Sequence, residues 1–542
     1  MKIHDYLLVF MISLAILASG CKNKQLETEI CVYGGTSAGV VVAYASSQLH
    51  KSVLLIEQSG HLGGLTTGGL GATDIGNKTA ITGIARDFYR KLGMHYGKPE
   101  MWTFEPHVAE TIFNEMVNKP DIRVLKHYRL KKVVKDNTTI REIILESAKS
   151  PFWKPHVRIK AAVFLDCSYE GDLMARSGIS CVIGREPNSK YNETVNGVQI
   201  LDKHQFPDSI DPYIKPGIPE SGLAYGINPA PVQPAGSGDR LVQAYNFRLC
   251  LTTDTANMIP ITEPARYNPS RYELLRRVIE YREKKGLKLG LDAYLSIIPM
   301  PAGKTDINNN GPFSTDFINN SWNYPDASYR IREKMSRAHE DYIKGLLYFL
   351  GHDEGVPVLL KNQMLSWGYA RDEFRDNGGF PHQLYIREAR RLTGEYVMTE
   401  HNCRGTEVAA DSIGQAAYTM DSHNCQRIVV NGMVKNEGDV QVGGFPPYPV
   451  SYRSITPKRT ECTNLLVPVC LSASHIAYGS IRMEPVFMVL GQSAAMAASM
   501  AIDNKCAVQE IDIRDLQEKL RSDPCLDGRK PPVMSPESEP SL

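Results

Sequence analysis

The sequence predicts an α/β fold, in which a parallel-sheet domain is built from two separated stretches of chain around an inserted mixed α+β domain. Three observations predict it. Residues 30–71 read as strand, glycine turn, helix, strand and second glycine loop. Residues 484–501 form an apolar, small-residue helix near the far end of the chain. Between them, from about residue 184 to 240, the composition shifts to Pro, Gly, Asn and Asp, which marks an exit into a second domain. A chain of 542 residues, 42% of them apolar, can hold two or three such units. With 61 Lys and Arg against 60 Asp and Glu, the charge argues for neither a nucleic-acid partner nor an anionic membrane surface.

The amino terminus reads as a targeting segment. Lys2 and His4 precede an apolar run, residues 7–18, that is too short to span a bilayer, and small residues lead to Cys21. Residues 1–21 are therefore expected to be a signal peptide, with Leu17-Ala-Ser-Gly-Cys21 resembling a lipoprotein cleavage box and Cys21 as the lipid anchor. Residues 22–29 follow as a polar tether. Export and lipid attachment in a bacterial cell envelope would be the chain's only link to a membrane. No cysteines are spaced C-x-x-C, so zinc knuckles and iron-sulfur ligation lack their spacing and no metal site is expected. Cys462 with Cys470, or Cys403 with Cys425, are pairings an oxidising compartment would permit.

The first strand, residues 30–33, feeds Gly34-Gly-Thr-Ser-Ala-Gly39. In a dinucleotide site the first glycine makes the tight turn, the last lets helix and strand pack closely, and the amides at the helix start face the pyrophosphate. Gly34 and Gly39 hold those places, with Gly35, Thr36, Ser37 and Ala38 between them; Thr36 stands where a second glycine is expected. A helix at 40–49 returns to a parallel strand, 52–56, which ends in Glu57, placed to accept from ribose hydroxyls. His61-Leu-Gly-Gly-Leu-Thr-Thr-Gly-Gly-Leu-Gly71 then holds more glycine than a turn needs. Gly63, Gly64, Thr66, Thr67 and Gly68 are its candidates for lying against a planar ligand.

These motifs resemble the FAD-binding amino terminus of a family of bacterial FAD-dependent oxidoreductases, distantly similar to the fumarate reductase type. Phe164-LDCSYEGD-Leu173, residues 243–252 (QAYNFRLCLT), 303–309 (GKTDINN), 381–391 (PHQLYIREARR) and 472–498 extend the likeness over nearly the whole chain after residue 28. The resemblance implies FAD as cofactor and a Rossmann-like FAD-binding domain, discontinuous over residues 28–185 and 421–506, with a substrate or capping domain at 186–420 and a tail at 507–542. It also implies that the start of the helix after Pro485 faces the flavin, which would bring Met483 and Glu484 near the isoalloxazine.

Further elements follow in order. Helices are expected at 84–96 and 106–118, a hairpin from 122–135 and 139–147 about Asp136-Asn137, and a strand at 157–165 whose exit places Gly171 near the nucleotide. In the second domain, helices are expected at 270–285 and 327–350, and residues 303–317 read as a polar loop whose amides and acids suit a sugar or polyol. Residues 381–397 read as a helix carrying Arg387, Arg390 and Arg391 on one face. Such a cluster would clamp an anion or form a salt-bridge network with Glu388 and Glu395. His423 is the candidate base for hydride chemistry, and Arg387 its anion-binding companion. The function expected is FAD-dependent oxidation or reduction of a small extracytoplasmic molecule, a sugar or polyol derivative. The alternatives are a non-redox polysaccharide lyase and a non-catalytic glycan- or solute-binding lipoprotein. Oligomeric state cannot be read from the sequence.

Overall fold

The computed structural model describes residues 24–151 and 155–522. The signal segment, Cys21 and the tail beyond residue 522 lie outside the described residues. The principal sheet has the order β3-β2-β1-β6-β5-β4. Its parallel core is β1 (Lys24–Tyr33), flanked by β2 (Val53–Glu57) and β6 (Val157–Asp166), with β3 (Ile122–Lys126) beyond β2. Ile30, Cys31 and Val32 are fully buried, as a central strand covered on both faces requires. β4 (Tyr128–Asp136) and β5 (Thr139–Ser147) add an antiparallel hairpin on the other side.

Two expectations change here. Residues 24–29 are not a free tether: they form the outer half of β1, paired in register with Val157 to Ala161. The expected strand 122–135 is two strands, broken at His127 by a left-handed backbone, φ 65°. One half belongs to the parallel sheet and the other to the hairpin.

The chain's two ends meet on one face of the sheet. Helix α1 (Ser37–Gln48) is buried between the sheet and the Glu484–Asn504 helix. Small residues set the distance: a Cβ added at Gly491 would lie 2.9 Å from the carbonyl oxygen of Ala38. The Glu484–Asn504 helix is long and apolar enough to cross a membrane by composition, yet it is a core helix. Its Gln492 Oε1 accepts from Ile84 N at 2.8 Å, and Ser493 Oγ donates to Ile413 O at 2.6 Å. The late strand is shorter than residues 464–471 suggested, only Leu465–Leu466, and it joins the principal sheet beside the carboxyl half of β6. Helices α2 (Gly83–His95) and α3 (Pro106–Val117) fall where periodicity put them. In the described part of the tail, the Ile513–Ser522 helix packs on the Glu484–Asn504 helix.

The second sheet lies wholly between residues 249 and 370. It is antiparallel, in the order Met258–Pro260, Gly368–Ala370, Leu249–Thr252, Lys304–Asn309, Leu295–Met300. The presumed polar loop at 303–317 therefore starts as an interior strand, and its polar groups are consumed by the fold. Asp306, fully buried, accepts from Arg248 Nε and Nη2 at 2.8 and 2.7 Å and from Ala72 N at 2.8 Å. That ties the second sheet to the end of the glycine loop. Lys304 Nζ sits 2.7 Å from Glu105, 2.7 Å from Asp372 and 2.8 Å from Glu373. The Glu105, His107 and Glu373 set has the dimensions of a metal site among the described residues, but this ammonium already supplies its positive charge. The same stretch of chain holds the Glu273–Lys284 and Tyr329–His352 helices, both of which contact the Pro269–Tyr272 turn.

The predicted helix at 381–397 is absent. Residues 381–389 are irregular, and Arg390–Leu392 is a strand paired with Cys181–Ile183. Helical spacing loses because each guanidinium finds a different buried partner. Arg387 goes to Asp316, Arg390 to Asp172 and Arg391 to Glu186. The candidate disulfide partners Cys403, Cys425, Cys462 and Cys470 are all free, buried thiols.

Candidate active site and cofactor groove

The turn after β1 builds a groove. Gly34, at φ 103°, lies so close to the β6 exit that an added Cβ would be 2.6 Å from Ser168 N. At Gly39 the added Cβ would be 1.9 Å from Gly34 O, so its hydrogen is what lets α1 start against the turn. Thr36 caps α1: its hydroxyl accepts from Gly39 N at 3.3 Å and donates to Cys167 O at 2.8 Å. The side chain that stands where a second glycine was expected thus points into the fold. Gly35 N donates to Glu57 Oε2 at 2.8 Å, and Ser59 N donates to Oε1 at 2.6 Å, which fixes the acid at the end of β2. Burial raises the Glu57 carboxyl against those hydrogen bonds.

The open groove so framed runs between Gly34, Thr36, Glu57, Ser59 and Gly64 on one side and Ser168, Tyr169 and Glu170 on the other. Gly171 lies one residue further on, at φ 66°, as the turn into a short helix. The second glycine loop is pinned from beneath. Gly63 donates to Gly35 O at 2.7 Å, Leu65 N donates to Tyr169 OH at 2.8 Å, and Thr67 Oγ1 donates to Leu62 O at 2.6 Å. Gly68 packs on Gln383, where an added Cβ would meet Cβ at 2.2 Å.

Glu484 is not at an open face. It is buried at the start of its helix, where its carboxylate accepts from Ser37 Oγ, from Thr66 Oγ1 at 3.0 Å and from Tyr169 OH at 2.7 Å. It therefore clamps α1, the glycine loop and the β6 exit together from the far end of the chain. Met483, 2% exposed, is the residue preceding that helix.

On the other side of Met483, Arg482 points to a second polar cluster. Its Nη2 donates to Asp421 Oδ2 at 2.9 Å and its Nη1 to Tyr385 OH at 2.9 Å. His423 lies between two carboxylates, Nδ1 at 2.8 Å from Asp316 and Nε2 at 3.4 Å from Asp421. Arg387 Nη2 is 2.9 Å from Asp316, and its guanidinium stacks on the Tyr385 ring at 4.5 Å. Burial and Arg387 oppose charge on His423, but Asp316 and Asp421 outweigh them and raise its pKa. Asp421 is correspondingly held below the usual range: burial opposes its charge, and His423 and Arg482 overcome it. Arg387 Nε and Arg482 Nε are buried and donate to no partner among the described residues.

The structure thus joins His423 with Arg387; of the cofactor candidates, Gly34, Thr36, Glu57 and Gly64 line the groove, whereas Gly35, Ser37, Ala38, Gly39, Gly63, Thr66, Thr67, Gly68, Gly171, Met483 and Glu484 support it from behind or from beside it. His475 is spent on Glu388 and Ser422, at 2.7 and 3.0 Å. His401 faces the carbonyls of Tyr191 and Asn192, away from His423. Sequence reasoning missed Asp316, Tyr385 and Arg482. Arg482 had a signal in its position directly before Met483 and Glu484; Asp316 and Tyr385 had none, because nothing local reveals what lies across from them.

The residues fit a flavin dinucleotide: a glycine cradle that a Cβ would fill, a helix starting against it, and an acid at the end of the second strand lining the same groove. Fold and groove together define an α/β flavoprotein of the Rossmann-like, dinucleotide-binding class. Residues 29–520 match the family described as FAD dependent oxidoreductase. The chain belongs to that family, and it is an FAD-dependent oxidoreductase. Among solved structures it is similar to THI4 of Thermovibrio ammonificans, at 16% identity over 34% of this chain and 75% of that one, TM-score 0.24. It is also similar to AlpK (10% identity, 52% and 43%, TM-score 0.26) and to L-proline dehydrogenase from P. horikoshii (13%, 31% and 26%, TM-score 0.18). The chain spans 26% to 75% of the length of these three, and likenesses so slight transfer nothing from those proteins. No curated protein matches significantly.

Proposed function

We propose that this oxidoreductase acts on a small extracytoplasmic molecule, a sugar or polyol derivative, bound at the Arg387–His423–Arg482 junction, with hydride passing to or from flavin N5. The observation that carries this reading is the Arg482-Met-Glu484 hinge. One end of it holds Tyr169, which lines the cofactor groove, and the other holds Asp421 and Tyr385, so three consecutive residues link the polar junction to a residue of the groove. FAD, when bound, supplies the hydride acceptor or donor. The chain supplies the rest. The unspent Nε–H groups of Arg387 and Arg482 are donors for substrate oxygens. His423 holds the proton that must accompany hydride: as imidazolium below its raised pKa it donates to a carbonyl being reduced, and above it the neutral ring accepts from a hydroxyl being oxidised.

The chain is exported and anchored to the membrane through a lipid on Cys21, which the short apolar run and small residues of the leader support; the balance of 61 basic against 60 acidic residues supports a function without nucleic acid. The test is to record the visible spectrum of the purified mature protein and then to mix it anaerobically with sugars, polyols and their acids. Bleaching of the flavin band by a hydroxylated substrate is expected, and its failure across all three classes would refute the substrate reading. Cys21→Ala should move the protein from the membrane to the soluble fraction; an unchanged distribution would refute the anchor.

A further inference from the structure

FAD carries a diphosphate, yet the groove that receives it is poor in positive charge. Neither lysine nor arginine occurs among the described residues lining it, whereas two carboxylates do, Glu57 and Glu170. Glu57 is spent on Gly35 N and Ser59 N. Glu170 is not. Its Oε1 accepts a long bond, 3.3 Å, from Tyr324 OH. Its charged neighbours are committed elsewhere. Arg332, from the Tyr329–His352 helix, forks onto Asp172 at 2.6 and 2.9 Å. Arg390, from the strand paired with Cys181–Ile183, donates to Asp172 and to the main-chain oxygen of Glu170. Tyr245 donates to Glu388 O, and Cys470 Sγ to the carbonyls of Ser168 and Tyr169. Asp172 and Glu57 add negative charge close by. An ionised Glu170 would add a second carboxylate charge to a groove that has to take a diphosphate and whose lining holds no lysine or arginine.

We propose that Glu170 is a cofactor-binding residue that engages FAD as the protonated acid, so that FAD binding takes up one proton at this side chain. A neutral carboxyl is an O–H donor to a phosphate or ring acceptor, whereas the ionised form only accepts and repels. The free groove already leans this way. Burial first, then Asp172 and Glu57 against Arg332, push the Glu170 carboxyl up to about 7. The phosphates of bound FAD push it higher. Because the pKa is higher in the complex than in the free protein, affinity is full below about pH 7. Above that it falls by about tenfold per pH unit until the pKa of the complex is passed.

His61 is the rival proton acceptor. It lines the same groove and its pKa is raised, by Glu110 first and then by Asp376. FAD dissociation from the holoprotein, read as free-flavin fluorescence on dilution between pH 6 and 9, separates the two. The expected plot of log Kd against pH is flat at pH 6 and rises with a slope near one above pH 7. Glu170→Gln should flatten it. Tyr324→Phe, which removes the hydroxyl donating to the carboxylate, should shift the rise to higher pH, and it serves if the first variant fails to fold. A flat wild-type plot would overturn the proposal. So would a slope that survives Glu170→Gln, or an unmoved onset in Tyr324→Phe, with loss of the slope in His61→Gln; the proton would then belong to His61.

Discussion

Replacing Glu484 with Gln perturbs the point at which the two ends of the chain are locked together. Three hydroxyls, those of Ser37, Thr66 and Tyr169, donate to this buried carboxylate, and Tyr169 OH in turn accepts from Leu65 N. A hydrogen bond to a charged group contributes about 1.5–3 kcal/mol net, and a neutral one about 1 kcal/mol. Gln keeps a carbonyl oxygen for Ser37 and Thr66 but turns an amide N–H₂ toward Tyr169, so one bond is lost and two become neutral. The gross loss of about 3–5 kcal/mol is offset in part because burial disfavours the Glu484 charge and raises its pKa. A net cost of about 2 kcal/mol is expected for Gln and about 4 kcal/mol for Ala, which leaves all three donors unpaired. Because Tyr169 lines the groove, about 2 kcal/mol expressed in binding weakens FAD by about thirtyfold. Urea unfolding of the apoprotein and FAD titration of Glu484→Gln, Tyr169→Phe and the double variant give the coupling, expected at about 1–2 kcal/mol. If Glu484→Ala retained wild-type stability and flavin content, the clamp would have no energetic role.

Other outcomes follow from the same geometry. Gly39→Ala should strip flavin and lower the melting temperature, since its Cβ would lie 1.9 Å from Gly34 O and relief means lifting α1 off the turn, a cost of about 1–3 kcal/mol or more; stoichiometric FAD by absorbance would contradict this. The His423 ring should titrate by NMR above the ordinary histidine value, and Asp316→Asn should lower its midpoint, because burial and Arg387 then act against a single remaining carboxylate; an unmoved midpoint would show that Asp316 does not hold the proton there. His339 is buried, with Nδ1 against Met335 O at 2.8 Å, and burial lowers its pKa to about 4. Its folded pKa lies below its unfolded one, so its contribution is present above pH 6.5 and lost as pH falls toward 4, on the order of 3 kcal/mol. Melting curves across that window should steepen in the wild type and flatten in His339→Gln, and equal slopes would refute the assignment.

The cofactor half was legible wherever the signal was local. Gly34, Gly39 and Glu57 stand at their positions because a tight turn, a close helix start and a strand end each constrain the residue that occupies them. The misread segments share a cause. Residues 381–397 carry arginines at helical spacing, but Asp316, Asp172 and Glu186 lie far off in sequence and pull each one out of a helix. Residues 304–309 look like polar loop, yet Lys304 and Asp306 are buried because carboxylates and a guanidinium from other segments neutralise them. Lys24 to Glu29 look like a solvated leader, and pair with β6 because an edge of that strand was open to them.

The sequence by itself determined the βαβ unit, the glycine loop, the long apolar helix and hence the class of cofactor, since each depends on periodicity or backbone freedom within a few residues. Only the tertiary structure decided what the buried charges do. It turned Glu484 inward as a clamp, set Glu170 in a groove lined by no lysine or arginine, and set His423 between Asp316 and Asp421. A charged group's role is fixed by the partners within a few ångströms of it, and here those partners come from segments as far apart as residues 37 and 484.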